Sequence, residues 1–181
     1  MEVKDRSIQI IPFKVNISKY IDELVQLETL CFDDGEAWTK ENFLLDLPQK
    51  GRLSKLAISE GNLIGYLIGS SYPNQRKAHW HRSATHPDYR RAKVFTKLHE
   101  EFFKECVKLG IEGVTAEARN SATATRNFYS KRGYRPLKGT ELKNYLSQKS
   151  KEEQIILFNN DIEGRGAYFI EAKKFLKRLS K

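Results

Sequence analysis

Residues 55–85 hold three apolar runs in close succession, and no other feature of the chain limits its fold as much. KLAIS and LIGYLIGSS flank Glu60-Gly61-Asn62. Gly-Asn suits a tight turn that needs positive φ, so the two runs predict a β-hairpin. AHWHRSAT alternates less cleanly but can pair with that hairpin as a third strand. RRAKVFTKLHEEFFKECVKLG follows, with Val94, Phe95, Leu98, Phe102, Val107 and Leu109 as one apolar stripe of a long helix. Gly110 is its natural stop.

The flanking segments extend this unit. SIQIIPF predicts a first strand, and residues 17–32 have helical apolar spacing, with Ser18 as a candidate cap. Thr39 stands at the N-cap of TKENFLLDL, and Pro48 lies just past its end. IEGVTAEA predicts a strand, SATATRNFYSKR a helix ended by Gly133, and Tyr134-Arg135-Pro136-Leu137 the start of another strand. LKNYLSQKSKEE is helix-compatible, QIILF a strand candidate, and GAYFIEA a final strand that runs into the basic stretch AKKFLKRLSK. Three antiparallel strands feeding a helix, then strand, helix and strand, make a mixed α/β (α+β) sheet.

With 181 residues and no evident linker or repeat, the expectation is one domain over 1–181. Two cysteines are too few for a disulfide scaffold. No apolar run reaches the roughly 18–20 residues of a membrane span, and the N-terminal stretch has no export signal, so the expected compartment is the cytoplasm. The net charge of +9 favours an anionic partner: nucleic acid, a phosphorylated cofactor or an acidic surface. AKKFLKRLSK, the densest basic run, reads as a solvated helix face.

HPDYRRAKVF lies where a helix leaves the end of a central strand and offers its first amides to an anion. Here the sequence resembles the GNAT superfamily of acetyl-CoA-dependent N-acetyltransferases, over roughly 7–137 and most closely over 83–134. In that family a strand ends in V-x-P-x-Y and (Q/R)-x-x-G-x-(G/A) opens the helix. Ser83-Ala84-Thr85 and His86-Pro87-Asp88-Tyr89-Arg90 stand at the strand end. Glu117 and Tyr129-Ser130-Lys131-Arg132-Gly133-Tyr134 match the later acidic strand end and Y-x-x-x-G-(F/Y) helix. Trp38-Thr39-Lys40-Glu41-Asn42-Phe43 is similar to the W-(S/T)-x-x-x-F helix of the ribosomal-protein N-terminal acetyltransferase branch.

The resemblance implies a GNAT-like fold, mostly antiparallel and flanked by helices, with a C-terminal extension. The implied reaction moves acetyl from acetyl-CoA to a primary amine of a protein N-terminus, a lysine or a small molecule. The implied cofactor site comprises Ser83, Ala84 and Thr85 on the strand edge, and Arg90, Arg91, Ala92, Lys93, Val94, Phe95 and Thr96 at the helix start. A backbone amide near Ala84 or Thr85 is the candidate oxyanion donor. Glu117 is the candidate base, acting through a water, and Tyr129 the candidate acid for the leaving thiolate. Each also has a plainer reading, as a solvated strand-end carboxylate and as a core tyrosine.

Lys93 and Phe95 depart from the pattern, since they fill the two glycine positions that let a pyrophosphate approach the backbone. No proline interrupts residues 91–96, and Arg91 and Lys93 bring compensating charge. The family's Asn at the next helix start is replaced by Ala122, leaving Asn120 to substitute or to serve as an ordinary cap.

His79 and His81 have i, i+2 spacing but no third ligand nearby, so no metal is expected. His99 is expected at the surface and Cys106 in the core, with Cys31 read likewise. Trp38 and Trp80 read as packing or as groove walls. Residues 138–165 exceed the usual link before the last strand and suit a lid, a substrate wall or a homodimer contact. Two other functions stay open: an acyl-CoA or partner-binding module without turnover, and a nucleic-acid-binding domain on the basic face.

Overall fold

The computed structural model describes residues 7–33, 36–149 and 164–179. Seven strands form one sheet in the order β1-β2-β3-β4-β5-β7-β6. They are β1 (Gln9–Pro12), β2 (Lys55–Ser59), β3 (Asn62–Ser71), β4 (Lys77–Thr85), β5 (Gly113–Arg119), β6 (Arg135–Pro136) and β7 (Arg165–Glu171). Every pairing is antiparallel except β4 with β5. That parallel pair is joined through helix α4 (Val94–Lys108), as a crossover requires.

The predicted hairpin forms, but its turn residues are Glu60 (φ 52°) and Gly61 (φ 83°). Ser59 pairs with Asn62, so Asn62 is already strand. Two consecutive positive φ values in a two-residue loop give the type I′ turn that matches strand twist.

Helices cover both faces. On one face lie α1 (Ile17–Cys31) and α2 (Lys40–Leu44), with Tyr20, Leu24, Leu27 and Phe43 packed on Leu56, Tyr66 and Ile68. Asn16, not Ser18, is the N-cap of α1; Ser18 sits inside the first turn. Thr39 caps α2 as predicted, in a reciprocal capping box with Asn42. The short helix α3 (Lys50–Leu53) follows. Its buried Lys50 donates to the carbonyls of Phe43 (2.7 Å) and Leu45 (2.6 Å), closing the end of α2.

On the other face lie α4, α5 (Thr123–Arg132) and α7 (Ala172–Leu179); α6 (Gly139–Leu146) follows β6. The helix predicted from Arg90 begins only at Val94, because Arg91 and Lys93 take left-handed φ. Its buried stripe is Val94, Leu98, His99, Phe102, Phe103 and Cys106, whereas Val107 and Leu109 are only partly buried. A Cβ on Gly69 would meet Phe102 at 2.4 Å, so glycine there lets α4 approach β3 closely. The basic C-terminal stretch is helical. Its Lys173, Lys174, Lys177 and Arg178 are exposed, and Phe175 stacks on Phe103 at 3.9 Å between centroids.

His99 contradicts the surface expectation: it is fully buried. Its ring lies 4.1 Å from Phe95 and 4.2 Å from Trp80, and Nδ1 meets the Phe95 carbonyl at 2.9 Å. The reason is that α5 and α7 cover the side of α4 that an isolated helix would leave in water. QIILF lies outside the described residues. No described helix is long and apolar enough to cross a membrane.

Candidate active site

The parallel β4–β5 ladder runs only from Lys77↔Gly113 to Trp80↔Ala116. Beyond it β4 stays on β3, while β5 stays on β7 through Glu117↔Ala167 and Ala118↔Gly166. The two strands therefore fork. A register shift on β4 between Trp80 and Arg82 marks the apex, with His81 as the inserted residue. The fork opens into a cleft of about 810 Å³. Past Trp80, the β5-facing edge of β4 has main-chain groups with no β5 partner, a template for an extended amide-bearing chain.

The start of α4 forms one wall. The amides of Val94, Phe95 and Thr96 precede the first bond of the helix, from Lys97 N to the Lys93 carbonyl (3.0 Å), and Lys93 gives no side-chain cap. Arg90, Arg91 and Lys93 line the same cleft. Helix-start amides with no partner among the described residues, beside three cations, suit an anion of diphosphate size. Lys93 has φ 60° and Arg91 φ 68°. The backbone thus adopts a glycine-like shape without glycine, at a cost of about 1–2 kcal/mol per residue. Phe95 packs its ring on Trp80 (5.5 Å), His99 (4.1 Å) and Phe128 (4.7 Å), forming part of the cleft wall.

Glu117 and Tyr129 meet at the fork. The Tyr129 hydroxyl donates to the Glu117 main-chain carbonyl at 3.0 Å. Burial, then the neighbouring Tyr168 and Glu117, push that phenol far above its ordinary range, so it keeps its proton. Its ring lies in the α4/α5 core with Ala116 and Ala118. Strand alternation puts the Glu117 side chain on the opposite face. There the Tyr145 hydroxyl donates to Glu117 Oε1, and Lys149 Nζ lies 2.9 Å from the same oxygen. The carboxylate and the phenol thus approach the fork from opposite sides of the sheet.

The connection between α1 and α2 is pinned over the other rim. Glu28, fully buried on α1, accepts from Arg82 Nη2 (2.9 Å), Arg82 Nε (3.2 Å) and the Trp38 amide (2.7 Å). Arg82 also lies 3.5 Å over the Phe32 ring and donates to the Glu36 carbonyl at 2.8 Å. Glu36 forms an ion pair with Arg119 at the end of β5, across the cleft from α1.

Of the predicted cofactor residues, 83–85, 90, 91 and 93–96 line the cleft, as do both predicted catalytic residues. Ala92 and Asn120 are not among the lining residues. Ala92 packs against the main core, and Asn120 ties its turn to Gly164 (2.7 Å) and to Arg126 (2.9 Å) through its main chain. Cys106 is core as read, while Cys31 is half-buried and lines the cleft, its thiol raised chiefly by burial. Trp80 is packing, edge-on to Tyr129 at 5.5 Å, and also part of the wall. Trp38 packs on Phe43.

His79 Nδ1 meets Thr115 Oγ1 at 2.9 Å, and His81 Nε2 meets Ser70 Oγ at 2.7 Å. Among the described residues no group of His, Cys, Asp and Glu could hold a metal. The sequence reading missed Glu28–Arg82 and Tyr145–Lys149. For Glu28 a signal existed: it follows Ile21 and Leu24 on the buried stripe of α1, and a charge there demands a partner.

The chain is similar to known proteins. The pattern of the Acetyltransferase (GNAT) family matches residues 21–134, more than half of the chain, and the chain belongs to that family. Its fold is that of the ribosomal-protein-S18-alanine N-acetyltransferase from Escherichia coli, at TM-score 0.68, 15% identity and coverage of 92% of this chain and 94% of that one. Ard1 from Thermoplasma volcanium superposes at TM-score 0.69 with 18% identity, covering 91% and 97%. PaiA N-acetyltransferase from Thermoplasma acidophilum, in complex with coenzyme A, superposes at 0.62 with 16% identity, covering 91% and 99%. No curated protein matches the sequence.

Proposed function

We propose that this chain is an acetyl-CoA-dependent N-acetyltransferase acting on a primary amine by direct attack. The observation that carries this reading is the fork itself. Helix-start amides and cations flank its mouth, and a carboxylate and a protonated phenol reach it from opposite faces of the sheet. Acetyl-CoA would supply an activated thioester there. The chain's own groups do the rest. The amides of Val94, Phe95 and Thr96, with Arg91 and Lys93, hold the diphosphate, and the edge of β4 near residues 83–85 pairs with the pantetheine amides.

A protein N-terminus, with a pKa of about 7.7–8.0, is mostly ammonium at neutral pH and a lysine, at about 10.4, almost wholly so; either must lose a proton before it can attack. Glu117 is the base, and its access from the α1/α6 face leaves the amine on the side away from Tyr129. Tyr129 holds the proton destined for the departing sulfur. The similarity to S18-alanine and Ard1 acetyltransferases favours a protein N-terminus as acceptor over a polyamine, which the net charge of +9 would repel.

CoA release with a panel of peptides, lysine and small amines tests the assignment. Turnover with any amine supports it, and tight CoA binding without turnover instead supports a non-catalytic acyl-CoA-binding module. The contact of Lys149 with Glu117 favours that second reading, because it places a cation on the base.

Two variants separate the roles. Tyr129→Phe keeps the packed ring and removes one proton, so turnover falls about 10²–10⁴-fold while CoA affinity is retained. Unchanged turnover removes Tyr129 as the acid. Lys93→Gly relieves the left-handed strain but removes a charge-assisted contact of about 1.5–3 kcal/mol. Calorimetry should show CoA affinity at least about tenfold weaker, with melting little changed. Undiminished affinity means that Lys93 does not compensate for the missing glycine.

A further inference from the structure

The segment after β6 brings an amine of this chain to the candidate base. Lys149, three residues past the end of α6, places Nζ 2.9 Å from Glu117 Oε1. The two side chains are only 15% and 16% exposed. Tyr145, buried on α6, donates to the same Oε1 and fixes the carboxylate against which the ammonium rests. Glu117 lines the fork that the α4 amides also face. An alkyl ammonium in direct contact with the base meets the first requirement for an acceptor, and being tethered it needs no encounter from solution.

We propose that Lys149 is a self-acetylation site: the chain transfers acetyl from acetyl-CoA to its own Lys149 Nζ. The proposal rests on the reading of Glu117 as base and of the fork as the acetyl-CoA site. The balance is simple. The Lys149 ammonium gives one proton to Glu117, which later releases it to solvent. Nζ then bonds to the acetyl carbonyl carbon, and the carbon–sulfur bond breaks. The second proton lost by Nζ ends on the CoA sulfur, leaving CoA thiol and a neutral Nζ-acetyl lysine. The product has no charge with which to pair Glu117, so modification withdraws the cation from the base.

The test uses the full chain incubated with acetyl-CoA and no other amine, read by intact mass and peptide mapping. A parallel calorimetric titration with CoA is made on the same preparation. The expected result is one acetyl group on Lys149, formed at a first-order rate independent of protein concentration. It is absent in Lys149→Arg and slowed about 100-fold or more in Glu117→Gln. An unmodified Lys149 in a preparation that binds CoA overturns self-acetylation and leaves the amine-transfer reading standing. So does modification at the same rate in Glu117→Gln, which indicates uncatalysed chemistry. Absence of CoA heat overturns both readings, and the calorimetric arm tells the cases apart.

Discussion

Glu117→Gln should cut amine acetylation at pH 7 by about 10²–10⁴-fold while CoA still binds as tightly as before. The glutamine is isosteric and can still accept from Tyr145, so the link from α6 to β5 is only weakened. What it lacks is the capacity to take a proton from an ammonium. The deficit should therefore shrink as pH rises toward the acceptor's own pKa, about 7.7–8.0 for a protein N-terminus and about 10.4 for a lysine, because solution then supplies the free amine. A purely structural Glu117 predicts something different. Lost anchoring of α6 would lower melting temperature and rate together, with a deficit independent of pH. Rate profiles from pH 6 to 10 for both proteins distinguish the two.

Mild acid should unfold this protein. His79, His81 and His99 are held neutral by their surroundings. Burial is the main cause for each. It lowers His81 to about 4, with help from Lys149 and Lys50, and His99 to about 3 against the opposing bond to the Phe95 carbonyl. His79 falls well below its ordinary value through burial and then the adjacent His81. In the unfolded chain each titrates near 6.5, so below that pH the unfolded state binds more protons than the folded one. Their contribution is complete above about pH 6.5 and is lost progressively as pH falls, through about 4 for His81 and about 3 for His99. Three such groups change stability by up to about 4 kcal/mol per pH unit, against a typical total of about 5–15 kcal/mol.

Urea denaturation should therefore show a steep loss between pH 6.5 and 5, before most carboxylates titrate. His99→Leu should flatten that slope by about one third. It also removes a buried Nε2 that has no partner among the described residues. Equal stability at pH 7 and pH 5 would contradict the placement of all three rings.

The hairpin, the α2 cap and the long helix were legible because their signals are local: alternation, Thr39 as an N-cap with Pro48 past the end, an apolar stripe. The fork could be anticipated from the order of elements, since a helix linking neighbouring strands implies a parallel pair. The environment of His99 was not legible, because it depends on Trp80, Phe128 of α5 and Phe175 of α7 packing around the ring. Position offered a hint, since His99 follows Phe95 by four residues and precedes Phe102 by three, on the buried stripe. Lys93 shows the limit of motif reading. The family pattern asks for glycine, and what the backbone needs is a positive φ, which lysine adopts at a modest cost. Tyr145 and Lys149 lie 28 and 32 residues from Glu117 in a polar stretch whose composition gives no sign of that contact.

A calorimetric titration of the full chain with CoA weighs the account as a whole. The fork and the amides of the α4 turn predict saturable heat at one CoA per chain, weaker in high salt because phosphate contacts contribute. No heat even at millimolar CoA would mean that the crowded turn between Arg90 and Thr96 holds no diphosphate, and the proposed acetyl transfer would fall with it.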